Sequence, residues 1–198
     1  MIKYGIIDQI KKYADENDVP IMSDSGIRFL INYIKENKIK DILEIGTAIG
    51  YSAIMMATIS DDIHITTIER DEKRYLEAIK NVKKMNLEDR IHLIYKDAFD
   101  VKLVDKFDLI FIDAAKAQNT RFFEKFEYNL NSNGTIITDN MNFHGLVLKD
   151  EHEIESRNLR QLVGKIRKYV EFLENNKEFK TKFYKVGDGI AVSLKKED

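Results

Sequence analysis

The 198-residue chain has no cysteine and a single proline, Pro20. Without thiols it can form no disulfide, no thiolate zinc site and no cysteine nucleophile, and it suits a reducing compartment. One proline and no serine-, glycine- or proline-rich tract leave no obvious interdomain linker. A single domain over 1–198 is therefore expected, with no internal repeat. Long apolar runs are missing as well. The opening segment MIKYGIIDQIKKYADEND breaks its apolar residues with charge every few positions, so it reads neither as a signal-peptide core nor as a membrane span. Cytoplasmic placement without a membrane partner is the expectation. An excess of one charge is also lacking: 32 basic and 34 acidic residues give a net charge of −2. A coat for nucleic acid would be more basic, although a local patch can still contact phosphates.

Hydrophobic residues make up 43% of the chain, enough at this length for one substantial core. Amphipathic helical stretches are expected at 6–14 and 23–36, the second with Ser23, Asp24 and Ser25 as N-cap chemistry. Strands at 41–45, 63–69, 91–95, 107–113 and 135–138 then alternate with helices at 51–59, 72–85 and 120–130. That rhythm implies βαβ units and a mostly parallel sheet with helices on both faces. A long helix over 154–173 carries Arg157, Arg160, Lys165, Arg167 and Lys168 between Leu159, Leu162, Val163 and Ile166. This is a solvated amphipathic face or, alternatively, a docking surface for a polyanion. The strand-like runs 181–186 and 189–194 flank Gly187 and Asp188 and should close as an antiparallel hairpin. A seven-stranded α/β sheet that ends in such a hairpin looks like the Rossmann-like fold of class I methyltransferases.

Acidic and amide side chains stand where strands should end. Asp113 closes FDLIFIDA, and Asp139 with Asn140 closes TIITDN. In an open parallel sheet ligands bind beyond the carboxyl ends of the strands, so these oxygens should converge there. Three hard oxygen donors suit a magnesium-type ion. Upstream, LEIGTAIGYS runs from a strand through a glycine turn into a helix, where backbone can approach a ligand closely and the helix N-terminus attracts an anion. The spacing G-x-x-x-G weakens a dinucleotide reading, which expects G-x-G-x-x-G. Glu69, at the end of the second strand, can accept ribose hydroxyls. Asp97 and Ala98 close the third strand and face an adenine or, for Asp97, simply terminate a turn. His64, His92, His144 and His152 show no ligand spacing. Phe143 either stacks on a splayed base or belongs to the core.

The segments LEIGTAIGYSAIMMA, FDLIFIDAAKAQ, GTIITDNMNFHGLV and VGDGIAVSLK together resemble the metal-dependent O-methyltransferases related to catechol and caffeoyl-CoA O-methyltransferases, from about Met22 to Lys195. Within that family IDAAKAQ, TDN and VGDG are most similar to the bacterial enzymes that methylate 5-hydroxyuridine at the tRNA wobble position. The resemblance implies that Asp113, Asp139 and Asn140 bind Mg2+. It implies that Met22, Glu44, Gly46, Ser52, Glu69, Asp97, Ala98 and Asp113 line an S-adenosylmethionine (SAM) site. It makes Lys116, with Asp113, the catalytic pair, and it favours a homodimer. No counterpart is evident to the extra segment that plant members carry for a coenzyme A ester.

A divalent ion lowers the pKa of an acceptor hydroxyl and fixes its position. The two adjacent oxygens of a 5-hydroxyuracil or of a catechol could both chelate it. Free lysine is mostly protonated at neutrality, so Lys116 acts as a base only if neighbouring positive charge displaces its proton; otherwise it is a cation facing the oxyanion. Three readings follow: a Mg2+-dependent methyltransferase acting on the tRNA anticodon loop, a catechol-type small-molecule O-methyltransferase, and a non-catalytic dinucleotide-binding protein with a decayed site. As a methyltransferase domain, residues 1–37 are expected to form a helical cap, 41–140 the cofactor- and metal-binding core, and 181–194 the C-terminal hairpin.

Overall fold

A computed structural model describes residues 2–196. Its core is a seven-stranded sheet of order β3-β2-β1-β4-β5-β7-β6. The strands are β1 (Asp41–Ile45), β2 (His64–Glu69), β3 (Ile91–Tyr95), β4 (Phe107–Ile112), β5 (Leu130–Thr138), β6 (Phe179–Tyr184) and β7 (Ile190–Lys195). Strands β1 to β5 pair in parallel, whereas β7 runs antiparallel to both β5 and β6. The strand order reverses between β1 and β4, which is where an open α/β sheet forms its ligand crevice.

Strand side chains alternate between the two faces. Ile42, Leu109, Phe111 and Ile137 face one core, packed by α1 (Ile2–Glu16), α2 (Asp24–Glu36), α3 (Tyr51–Ala57) and α4 (Glu72–Lys84). Leu43, Ile45, Ile110, Ile112 and Ile136 face the other, under Phe122, Phe123 and Phe126 of α5 (Asn119–Phe126) and Tyr169 and Leu173 of α6 (Arg157–Asn175). Burial on both faces explains why the central strands read as continuous apolar runs. Local signals set the helix starts: Ser23 Oγ accepts the Gly26 N–H at 3.2 Å, and Asp71 Oδ1 accepts the Arg74 N–H at 2.9 Å.

Three expectations are corrected. β5 begins at Leu130 rather than at 135, because Leu130 already pairs with Phe107 and Thr135 with Leu109, which leaves Asn131–Gly134 as an out-of-register stretch within the strand. The expected helix at 120–130 ends at Phe126 and tightens into a 3-10 turn over Glu127–Asn129. The basic face of the long helix is partly spent inside the molecule. The Arg160 guanidinium donates to the carbonyls of Ile154 and Glu155, and that of Arg167 to those of Val147 and Lys149. Both arginines therefore tie down the segment before the helix, which leaves less of the face for a polyanion. Among the described residues no helix is long and apolar enough to cross a membrane.

Candidate active site

A cavity of about 460 Å³ opens at the carboxyl ends of the parallel strands. The turn after β1 forms its floor. Gly46 has φ +105°, and a Cβ there would lie 2.2 Å from the backbone oxygen of Asp113. This glycine is needed because β1 and β4 approach so closely at the point where the strand order reverses. The Asp113 N–H donates to the Ile45 carbonyl at 3.0 Å and the Asp139 N–H to that of Ile112 at 3.2 Å. The metal-type side chains are thus launched from a continuous ladder rather than from free loops.

Asp113, Asp139 and Asn140 all line the cavity. Asn140 Nδ2 donates to Asp113 Oδ1 at 3.0 Å, which leaves the amide oxygen as an acceptor. Asp139 is buried, and its Oδ1 has no partner among the described residues. Burial, with the charges of Asp113 and Asp188 adding to it, pushes the Asp139 carboxyl up to about 7. Burial also raises Asp113, against the pull of Lys116 and the Asn140 hydrogen bond. A buried carboxylate with an orphaned oxygen, raised further by the half-buried Asp113 beside it, fits a divalent cation. Among the described residues no three His, Cys, Asp or Glu side chains gather as a metal-binding set, so the donors here are two carboxylates and an amide.

Met22, Gly46, Ser52, Glu69, Asp97 and Ala98 also line the cavity. Glu69 is oriented by three backbone N–H groups, those of Ala48, Arg70 and Asp71, each at 2.8 Å. A carboxylate offers roughly four acceptor sites, so paired ribose hydroxyls would have to share what remains. Asp97 Oδ1 accepts the Phe99 N–H at 2.9 Å and Oδ2 lies 3.3 Å from Arg70. The Phe99 hydrogen bond chiefly holds the Asp97 carboxyl below its ordinary range. Both readings of Asp97 therefore apply, since it caps a turn and faces the cavity.

Glu44 departs from expectation, because it does not reach the cavity. It is fully buried on the Ile42 face of β1, where Ser52 Oγ and Thr67 Oγ1 each donate to it at 2.5 Å. Thr67 is in turn 2.6 Å from Thr47 Oγ1. Glu44 supports Ser52 and the glycine turn from beneath, and its burial pushes the carboxyl up to about 7. Lys116 lines the cavity with its Nζ 5.6 Å from the centroid of the Phe143 ring. His144 is at the mouth, whereas His64 and His92 lie on β2 and β3 and His152 precedes α6.

Sequence reasoning missed Arg70, Arg74, Lys96 and Asp188 as cavity residues. The first three could have been found from their places just beyond β2 and β3, where ligands bind. Asp188 read only as a turn residue between glycines, and nothing local says that this turn folds back onto the loop after β5.

The sheet order, the reversed last strand and a cavity over the glycine turn define a class I methyltransferase fold. An O-methyltransferase family model matches residues 3–196, and the chain belongs to that family. A Staphylococcus aureus protein assigned as a caffeoyl-CoA O-methyltransferase superposes with a TM-score of 0.91 at 41% identity, over 96% of this chain and 92% of that one. An O-methyltransferase from Bacillus cereus in complex with SAH gives a TM-score of 0.82 at 26% identity, over 97% and 91% of the two chains. A catechol O-methyltransferase from Niastella koreensis is 37% identical over 124 residues, which cover 59% of this chain and 55% of that protein. The protein is a SAM-dependent O-methyltransferase.

Proposed function

We propose that the chain methylates a hydroxyl that forms part of a chelating oxygen pair, with Mg2+ held by Asp113, Asp139 and Asn140, and that the acceptor is 5-hydroxyuridine at the tRNA wobble position, giving 5-methoxyuridine. The observation that carries the metal half is the unpartnered Asp139 Oδ1 beside Asp113 in a buried, doubly acidic corner. A divalent ion bound there supplies acidity and a fixed position for two adjacent acceptor oxygens. The Glu69, Asp97, Ala98 and Met22 side of the cavity would hold the nucleoside of SAM, and Ser52, supported by Glu44, would border it. Lys116 would either take the acceptor proton or face the oxyanion as a cation. In the transfer the acceptor oxygen bonds to the methyl carbon while the sulfur–carbon bond breaks, and the sulfonium becomes a thioether.

The tRNA half rests on the wording IDAAKAQ, TDN and VGDG and on the cations Arg70, Arg74, Lys96 and Lys116 around one cavity. Catechols are the second reading, favoured by the catechol O-methyltransferase relative. In either case 1–198 would act as one cytoplasmic domain, a homodimer in which the 1–37 helices cover the site or pair with the second subunit. Labelled SAM supplied with hydroxylated tRNA or with a catechol, with and without Mg2+, separates the readings. Mg2+-dependent labelling of the tRNA is expected, and faster turnover of the catechol would replace it with the small-molecule reading. Asp139→Ala should abolish turnover and leave SAM binding measurable by calorimetry; equal loss of both would make Asp139 structural.

A further inference from the structure

The loop that follows β5 has an unusual backbone. Asn140, Phe143 and His144 have φ of 63°, 43° and 56°, and Gly145 follows at 79°. A non-glycine residue in the left-handed region costs on the order of 1 kcal/mol or more, so a run of them persists only if neighbouring structure holds it. The turn between β6 and β7 does so. The Asn142 N–H donates to the Asp188 carbonyl at 2.7 Å and the Met141 N–H to the Gly189 carbonyl at 2.9 Å. Asp188 Oδ1 accepts the His144 N–H at 2.5 Å. Gly189 must be glycine, since at φ +86° a Cβ would lie 2.8 Å from the Asn142 nitrogen.

We infer that Asp188 is a positioning residue whose one carboxylate oxygen pins the loop carrying Asp139 and Asn140, while its other, buried and unpartnered oxygen adds negative charge beside the group held in the cavity. Asp188 Oδ2 is buried with no hydrogen-bond partner among the described residues, and the nearest cation is His144 Nδ1 at 3.8 Å, charged only if protonated. Asp188 lines the same cavity as Asp139. Asp113, Asp139 and Asp188 do not gather as one three-carboxylate set, so Asp188 acts on the ion from outside its ligands, through loop geometry and added negative charge. Such outer partners orient ligands and tune affinity. This inference rests on the metal reading proposed above.

The test compares wild type, Asp188→Ala and Asp188→Asn by amide hydrogen exchange of 140–146 and by calorimetric titration of Mn2+ into the SAM-free protein, with circular dichroism as a fold control. Asp188→Ala should speed exchange at His144 by tenfold or more and weaken Mn2+ binding by roughly tenfold. Asp188→Asn keeps an oxygen acceptor and should restore slow exchange while Mn2+ binding stays weak, which a merely structural residue would not do. Wild-type exchange in a folded Asp188→Ala, or failure of Asp188→Asn to restore it, overturns the pinning role. Should Asp188→Ala not fold, Asp188→Asn with wild-type Mn2+ affinity overturns the electrostatic role. A wild-type protein that binds no Mn2+ removes the metal reading instead, and exchange still decides the pinning.

Discussion

Strand alternation sends the Glu44 carboxylate inward to Ser52 and Thr67 rather than out to the cavity. Its burial has a consequence for stability. The folded carboxyl sits near 7 against an ordinary 4.5, so folding retains a proton. The associated stabilisation is complete below pH 4.5 and is lost as pH rises through 7, a difference on the order of 3 kcal/mol at one pK unit per about 1.4 kcal/mol. Unfolding midpoints of the ion-free protein should fall between pH 5 and 8, and in Glu44→Gln that fall should shrink. A Glu44→Gln profile as steep as wild type would assign the slope to other groups. Asp113, Asp139 and Asn140 were legible because an acid or amide after an apolar run marks a strand end. Asp188 was not, because its partners lie 44 residues away at His144.

At the scale of elements, the alternation of strands and helices was readable from apolar runs and cap residues, and the expected ends move by a few residues. β5 was cut short because Asn131, Ser132, Asn133 and Gly134 look like a loop; they are an out-of-register stretch of the strand, between Leu130 paired with Phe107 and Thr135 paired with Leu109. Tyrosine hydroxyls hold this strand from both faces, Tyr33 to Thr135 Oγ1 at 2.9 Å and Tyr169 to Thr138 Oγ1 at 2.8 Å. Thr138 directly precedes the Asp139–Asn140 pair. Burial raises the Tyr169 phenol far above its ordinary range, so it remains a neutral hydrogen-bonding group. Tyr169→Phe strands the Thr138 hydroxyl in the core and should cost about 1–3 kcal/mol in urea denaturation. A loss below a few tenths would mean that Thr138 finds another partner.

The whole molecule follows from how its strands are ordered. With β1 and β4 adjacent, the glycine turn and the first metal-type aspartate meet at the reversal of strand order. With β7 inserted between β5 and β6, the terminal turn reaches the loop after β5. The fold class could be inferred from the sequence because the hairpin ending is distinctive. The second consequence could not, since a hairpin in sequence does not say which strand it will pair with. The proposed reaction requires a hard cation between the ends of β4 and β5, next to the methyl donor. Anomalous X-ray diffraction from crystals grown with Mn2+ and SAH tests it directly. One peak within bonding distance of oxygens from Asp113, Asp139 and Asn140, beside the SAH sulfur, is predicted; a peak elsewhere, or none at saturating Mn2+, would contradict it.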